Sequence, residues 1–320
     1  MKLIKSTPPR RLIAPAIMVA VLIAGVILPQ VTDKIVLTGT AILMYIIMSV
    51  SWTLFSGPTG YVSLAPAAFF GLGIYVSAFY SEFLPLPVLM LLGGIVCFAV
   101  AVVIGAITLR LRGVYFTIFT FGLVELLRNL ILWLEIHNTG KRGRFVVRAA
   151  PETVYYYFLG LLVILLLVAV IIRRSRFGKA LVSIGESEDA ASHVGINTTW
   201  FKILAFAISS FFMGAVGAAM ATRWTYIDPT IAFDTLKSFL PVLMVVFGGM
   251  KRLAGPIIGA AVFAWLQEIL TTNFASYYLI SIGAIMVIAI LFLPDGLVGL
   301  WEWFKDRVKN RKEAAGSANT

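Results

Sequence analysis

The chain has 320 residues, 60% of them hydrophobic and only 13% charged, with a mean hydropathy of +0.96 and a net charge of +11. A soluble domain carries about 25% charged residues, so this composition excludes a water-soluble globule and describes a polytopic membrane protein. In a soluble chain the basic excess would suggest nucleic acid. Here it is read as orientation charge flanking membrane spans, with lipid as the surrounding medium and no nucleic-acid partner. Cys97 is the only cysteine, so no intramolecular disulfide and no thiolate metal site is expected, and His137 and His193 lie far apart with no ligand pattern.

Residues 1–11 are polar and basic (Lys2, Lys5, Arg10, Arg11), and residues 12–28 are apolar. No small-x-small cleavage site follows, so 12–28 reads as a first span rather than a removed leader. A bilayer core of about 30 Å needs roughly 20 apolar residues as helix. Further candidates on that rule are 35–55, 61–80, 85–108, 114–135, 153–172, 203–222, a short one at 238–250, 255–272 and 276–293. The expected fold is therefore an all-α polytopic membrane protein of about ten transmembrane or re-entrant helices, forming one transmembrane domain over 1–320 with a basic tail from 301.

The segment 56–79 crowds Gly57, Gly60, Gly71 and Gly73 with Pro58 and Pro66 into one apolar run. Such a segment is either a tightly packed helix pair or a broken helix whose backbone polar groups line a pathway. On the second reading Tyr61, Ser63 and Pro66 are pathway candidates. In 109–130, Arg110 and Arg112 flank Gly113, and Glu125 and Arg128 stand three apart inside an apolar helix, on one face with Thr117. Charges in a span face a partner or an aqueous cavity, so the pair is either a structural pin between helices or part of the pathway. Ser210, Gly214, Ala218 and Gly217, Ala221 form a small-residue stripe for helix packing.

The most polar stretch is 173–202, RRSRFGKALVSIGESEDAASHVGINTTWFK. Thirty such residues fold outside hydrocarbon. Ala180, Leu181, Ile184, Ala191 and Val194 make a roughly helical stripe over Lys179–Val194, and Gly195 can end it. The segment is either an ordinary solvated loop or a surface helix for another protein to hold. With ten spans, 18 of the 26 Lys and Arg residues fall on the side that carries both termini and this loop, which places them in the cytoplasm. The loop 137–152, with Lys141, Arg142, Arg144 and Arg148, runs against that rule.

Five phrases, in order, resemble the permease subunits of branched-chain amino acid ABC importers. Gly60, Ser63, Leu64, Ala67, Ala68, Phe69, Phe70, Gly71, Gly73 and Tyr75 are similar to the family's glycine-rich phrase, with Tyr61, Ala65 and Pro66 where it often has Gln, Gly and His. Arg110-Leu111-Arg112-Gly113, followed by Glu125 and Arg128, resembles the second. Asp189-Ala190-Ala191 with Gly195 resembles the E-A-A-x-x-x-G coupling loop, with Asp189 in the Glu position and Glu188 beside it, after Gly178-Lys179. The glycines of 246–265 and the phrase 293–301 complete the series, with Lys251 in place of a glycine.

The resemblance implies a cytoplasmic coupling helix and a bacterial inner-membrane location. It also implies a heterodimer with a second permease, two cytoplasmic ATPase subunits and an extracytoplasmic solute-binding protein. Leu64-Ala65-Pro66 and Leu253-Ala254-Gly255-Pro256 each open an apolar run after glycines, with five spans on either side of about residue 150, which hints at an inverted repeat.

No G-x-x-x-x-G-K-[ST] loop occurs, since Gly178-Lys179 is followed by Ala180. ATP would thus be used by partners, and this chain would bind no cofactor or metal and have no catalytic residue. A related urea or small-amide importer, and an ion-coupled transporter with Glu125 as proton carrier, are the rival readings.

Overall fold

The computed structural model describes residues 33–111, 113–250 and 253–274, with scattered positions from 277 to 299. The expected first span at 12–28, most of the last at 276–293, Arg112, Lys251 and the tail from 301 lie outside the described residues.

The helices are α1 (Asp33–Thr59), α2 (Pro66–Tyr80), α3 (Leu86–Thr108), α4 (Val114–Thr139), α5 (Pro151–Arg174), α6 (Arg176–Glu186), α7 (Glu188–His193), α8 (Thr198–Ala221), α9 (Pro229–Ala232), α10 (Leu236–Gly248) and α11 (Ala254–Asn273). Among the described residues seven stretches are long and apolar enough to cross a membrane, so the fold is all-α and polytopic. The eighth expected span, short in the sequence, is completed by α9: together α9 and α10 cover 229–248. Proline opens α2, α3, α5 and α9 within their first two positions, where its missing N–H costs nothing.

Helices α2 and α8 are the buried centre. Twelve of the fifteen residues of α2 are buried, against α8, α3, α10 and α9. The small-residue stripe of α8 faces α2 and α3, as the sequence spacing predicts: Gly214 lies against Gly73, Gly93 and Cys97, and Gly217 lies against the Phe70 carbonyl. Around this centre Phe55, Phe69, Phe116 and Phe206 meet at ring-centroid separations of 5.2–6.0 Å. Helix α4 stays at the periphery, with Ile118, Leu126 and Trp133 exposed.

At one end of the bundle a two-residue antiparallel ladder joins β1 (Arg144–Phe145) to β2 (Tyr226–Ile227). Cations of the basic loop 137–152 find acidic partners at this ladder. Arg142 pairs with Asp228 at 3.3 Å, and Arg144 sits 3.8 Å from the buried carboxylate of Glu135 and 3.9 Å above the Phe79 ring. At least two of the loop's four cations are therefore neutralised locally. Residues 60–65, Leu109 and 175–197 lie at the opposite end.

Candidate functional site: the polar segment and the break before α2

Three polar residues divide the segment after α5. Ser175 is extended and its hydroxyl accepts from Gly178 N, which starts α6. Ser187, also extended, accepts from Ala190 N and starts α7. Asn197 accepts from Trp200 N at 3.1 Å and starts α8. Each side chain satisfies an amide that a helix N-terminus leaves unpaired. The single stripe expected over 179–194 is thus two helices with a break at Ser187. Its buried members are Ala180, Leu181, Ile184 and Ala191, whereas Val194, just past the last residue of α7, is 76% exposed.

Helix α7 ends as expected at Gly195. The Ile196 amide donates to Ala191 O at 3.1 Å and the Gly195 amide to Ser192 O at 3.0 Å, the paired bonds of a Schellman cap. Gly195 has φ +86°, a left-handed conformation that L side chains resist.

The acidic pair of α7 divides its tasks. Asp189 is exposed with Ala190, next to buried Ala191. Glu188 turns inward. One carboxylate oxygen accepts from Lys202 Nζ at 2.6 Å, and the other accepts from the Tyr61 hydroxyl at 2.6 Å. Lys202, near the start of α8, is 1% exposed. Its ammonium also donates to the Tyr61 oxygen at 3.2 Å and to Leu109 O, at the end of α3, at 3.1 Å. An ammonium has three donors, and all three are used. Charged groups so placed need partners of this kind to be tolerated.

Sequence reasoning missed Lys202, which it read as orientation charge. The available signal was phase: Lys202, Phe206, Ser209 and Met213 fall at helical spacing on the buried face of α8.

The segment 60–65 is unwound between α1 and α2, so the glycine- and proline-rich run is a broken helix. Its backbone polar groups are largely used within the chain. Ser63 O accepts from Trp52 Nε1 at 2.7 Å, Val62 O from the Thr117 hydroxyl at 2.8 Å, and Leu64 N donates to Thr120 Oγ1 at 2.9 Å. Ala67 N donates to Ser238 Oγ, and Ala65 N to Ser63 Oγ. Ser63 and Pro66 are buried. Of the pathway candidates, the structure brings Tyr61 to Glu188 and Thr117 to Val62. Glu125 and Arg128 pair with each other at 2.5 Å further along α4. A cavity of about 580 Å³ lies beside α6, lined by Gly178, Lys179 and Ser183 with Arg173, Thr53 and Pro58.

The cluster has a pH signature. Burial pushes the Glu188 carboxyl up, but the hydrogen bonds from Lys202 and Tyr61 and the Lys202 charge outweigh it and hold the carboxyl below its ordinary range. A folded-state value below the unfolded one gives stability that is present above the ordinary carboxylate value of about 4.3 and is lost as the pH falls through the folded value. The thermal midpoint in detergent should therefore drop more steeply below about pH 5 for the unsubstituted chain than for Glu188→Gln. Parallel curves would exclude this contribution.

Comparisons with known proteins identify the family. The family model described as the permease component of branched-chain amino acid transport systems matches residues 35–290. The permease LivM of the high-affinity branched-chain amino acid transport system of Salmonella typhimurium is 27% identical over 294 residues, covering 81% of this chain and 69% of the relative. LivM of Escherichia coli K12 is 27% identical over 316 residues, covering 88% and 74%. The ribose import permease RbsC of Haemophilus influenzae is 26% identical over 133 residues, about 40% of each chain. No solved structure matches. With four-fifths of its length matched, the chain belongs to the permease family of branched-chain amino acid ABC importers.

Proposed function

We propose that this permease forms one half of the path by which a hydrophobic, branched-chain amino acid enters the cell. It would sit in the bacterial cytoplasmic membrane with both termini and the α6–α7 segment inside. A second permease subunit would complete the path, an external solute-binding protein would deliver the solute, and two ATPase subunits would seat on α6 and α7. ATP belongs to those partners, and this chain holds no cofactor and performs no bond chemistry of its own.

The observation that carries the reading is the division of α7. Asp189 and Ala190 face outward beside the Gly195 cap, while Glu188 binds inward to the helix bundle. A surface helix that another protein pushes on needs an outer face for that protein and an inner grip on the spans. Lys179, at the start of α6, is exposed and belongs to the same surface, whereas Gly178 is buried against the Ile172 carbonyl.

The substrate reading is supported by the similarity to the LivM proteins. Radiolabelled leucine uptake by the reconstituted complex, with an excess of urea as competitor, tests it. Leucine should be taken up when ATP is present, with urea leaving the rate unchanged. Absence of ATP-dependent leucine uptake, with radiolabelled urea taken up in its place, would overturn the amino-acid reading in favour of a small amide.

A further inference from the structure

We propose that Lys202 is the positioning residue that locks the α6–α7 segment to the unwound stretch 60–65, so that displacement of α7 is passed to α4 through Tyr61. The inference rests on the importer reading and adds a route by which the bundle would follow the ATPases.

Two independent contacts tie the surface segment to the break. In the first, α6 lies on the end of α1 so closely that a Cβ at Gly185 would stand 2.1 Å from the Pro58 carbonyl oxygen. In the second, Glu188 and Lys202 enclose the Tyr61 hydroxyl, and Lys202 Nζ also stands 4.6 Å from the Tyr61 ring centroid. Every donor of the ammonium is used, and both carboxylate oxygens accept. A partial displacement of α7 would leave a desolvated charge without its partner, so the cluster holds together or separates as a unit.

Beyond Tyr61 the contacts continue into α4. The Tyr61 ring meets Phe116 edge-on at 5.5 Å, and Phe116 meets Phe55 at 5.8 Å. One residue further, Val62 O accepts from Thr117, and Leu64 N donates to Thr120. Phe116, Thr117 and Thr120 are in the first turns of α4, the helix that carries Glu125 and Arg128. Stretch 60–65 and the start of α4 are thus held as one body, and Lys202 joins that body to α7. A permanent pin would have the same resting geometry, so the test must read motion.

The experiment uses the complete complex of this permease, its partner permease and its ATPases in liposomes, with Cys97→Ser as background. One nitroxide is placed at Val62, which is 41% exposed, and in a second preparation at Val194, which is 76% exposed. Spectra are recorded without nucleotide and after ATP–vanadate trapping.

With Lys202 present, both positions should change on trapping. In Lys202→Met the change at 194 should persist while that at 62 falls at least tenfold, and Lys202→Arg should restore most of it. Should Lys202→Met fail to fold, the pair Lys202→Met with Glu188→Gln leaves no charge unpaired and should show the same loss at 62. A full response at 62 in either variant overturns the proposal. If the ATPases do not co-purify with the unsubstituted chain, or if neither label responds there, the importer assembly itself is refuted and the proposal with it.

Discussion

Alanine at Gly73 is expected to remove most of the folded permease, whereas alanine at Gly122, on the outer face of α4, should leave it unchanged. A Cβ at Gly73 would stand 2.0 Å from the Gly214 carbonyl oxygen. The obstacle is backbone, so no rotamer can relieve it. Nor can α8 retreat, because a Cβ at Gly214 would itself lie 2.4 Å from Cys97 Sγ and 2.6 Å from the Gly93 carbonyl oxygen. Helices α2, α3 and α8 therefore meet backbone to backbone. In lipid, where apolar side chains gain little by leaving their surroundings, close approach of this kind and interhelical hydrogen bonds hold helices together. The Ser77 hydroxyl donates to Ala218 O at 2.6 Å across the same contact and would be pulled out of range by any separation.

Overpacking typically costs about 1–3 kcal/mol, and loss of the packed contact along two helices adds to it, against a total stability of about 5–15 kcal/mol. A Cβ at Gly122 would meet nothing within 4 Å, which makes that position the matched control. The measurement is monodisperse yield in detergent and the thermal midpoint for Gly73→Ala, Gly214→Ala and Gly122→Ala. Unchanged yield and midpoint for Gly73→Ala would show that the helices can separate without loss.

That contact was legible in the sequence, because small residues at four-residue steps mean little except close helix packing. The Gly195 cap was equally legible, since a glycine after the last periodic residue states a backbone requirement locally. The break before α2 was visible as glycine and proline crowding, but its internal use was not. Tyr61 stands where the resembled phrase often has Gln, and the sequence alone marked it as a pathway candidate. In the fold its hydroxyl meets Glu188, 127 residues away. Such a contact depends on which ends of α1, α3 and α8 come together, and no local pattern encodes that. Lys202 was hidden for a related reason: a lysine at a span boundary looks like orientation charge whether it points to water or into the bundle. The break at Ser187 was missed because a serine in a helical stripe is tolerable as well as a cap, and only the tertiary contact of Glu188 decides.

Glu125 and Arg128 are expected to behave as a mutually compensating pair, so that removing one charge does more harm than removing both. They lie on α4 with Glu125 Oε2 2.5 Å from the Arg128 guanidinium, and their side chains are 39% and 33% exposed. The Glu125 carbonyl oxygen also accepts from Asn129 Nδ2 at 2.8 Å, which fixes the same turn. Exposure on a membrane-spanning helix means exposure to lipid or to a neighbouring subunit, and an unpaired charge near the bilayer centre costs about 2.5–3.5 kcal/mol on insertion scales. Glu125→Gln strands Arg128, and Arg128→Gln strands Glu125. Each single change should lower folded yield by roughly that free energy, and uptake with it. The double change leaves two neutral amides that can bond each other, and it should recover much of the loss, which a double-mutant cycle reads as a coupling well above about 0.5 kcal/mol. If Glu125 instead carried a proton, the double variant would transport no better than the single one. Uptake would then collapse with an uncoupler while ATP is held constant. Recovery in the double variant together with uncoupler-resistant uptake at fixed ATP assigns the pair to holding the helix, whereas the opposite pair of results would make it the proton-coupling site of an ion-driven transporter.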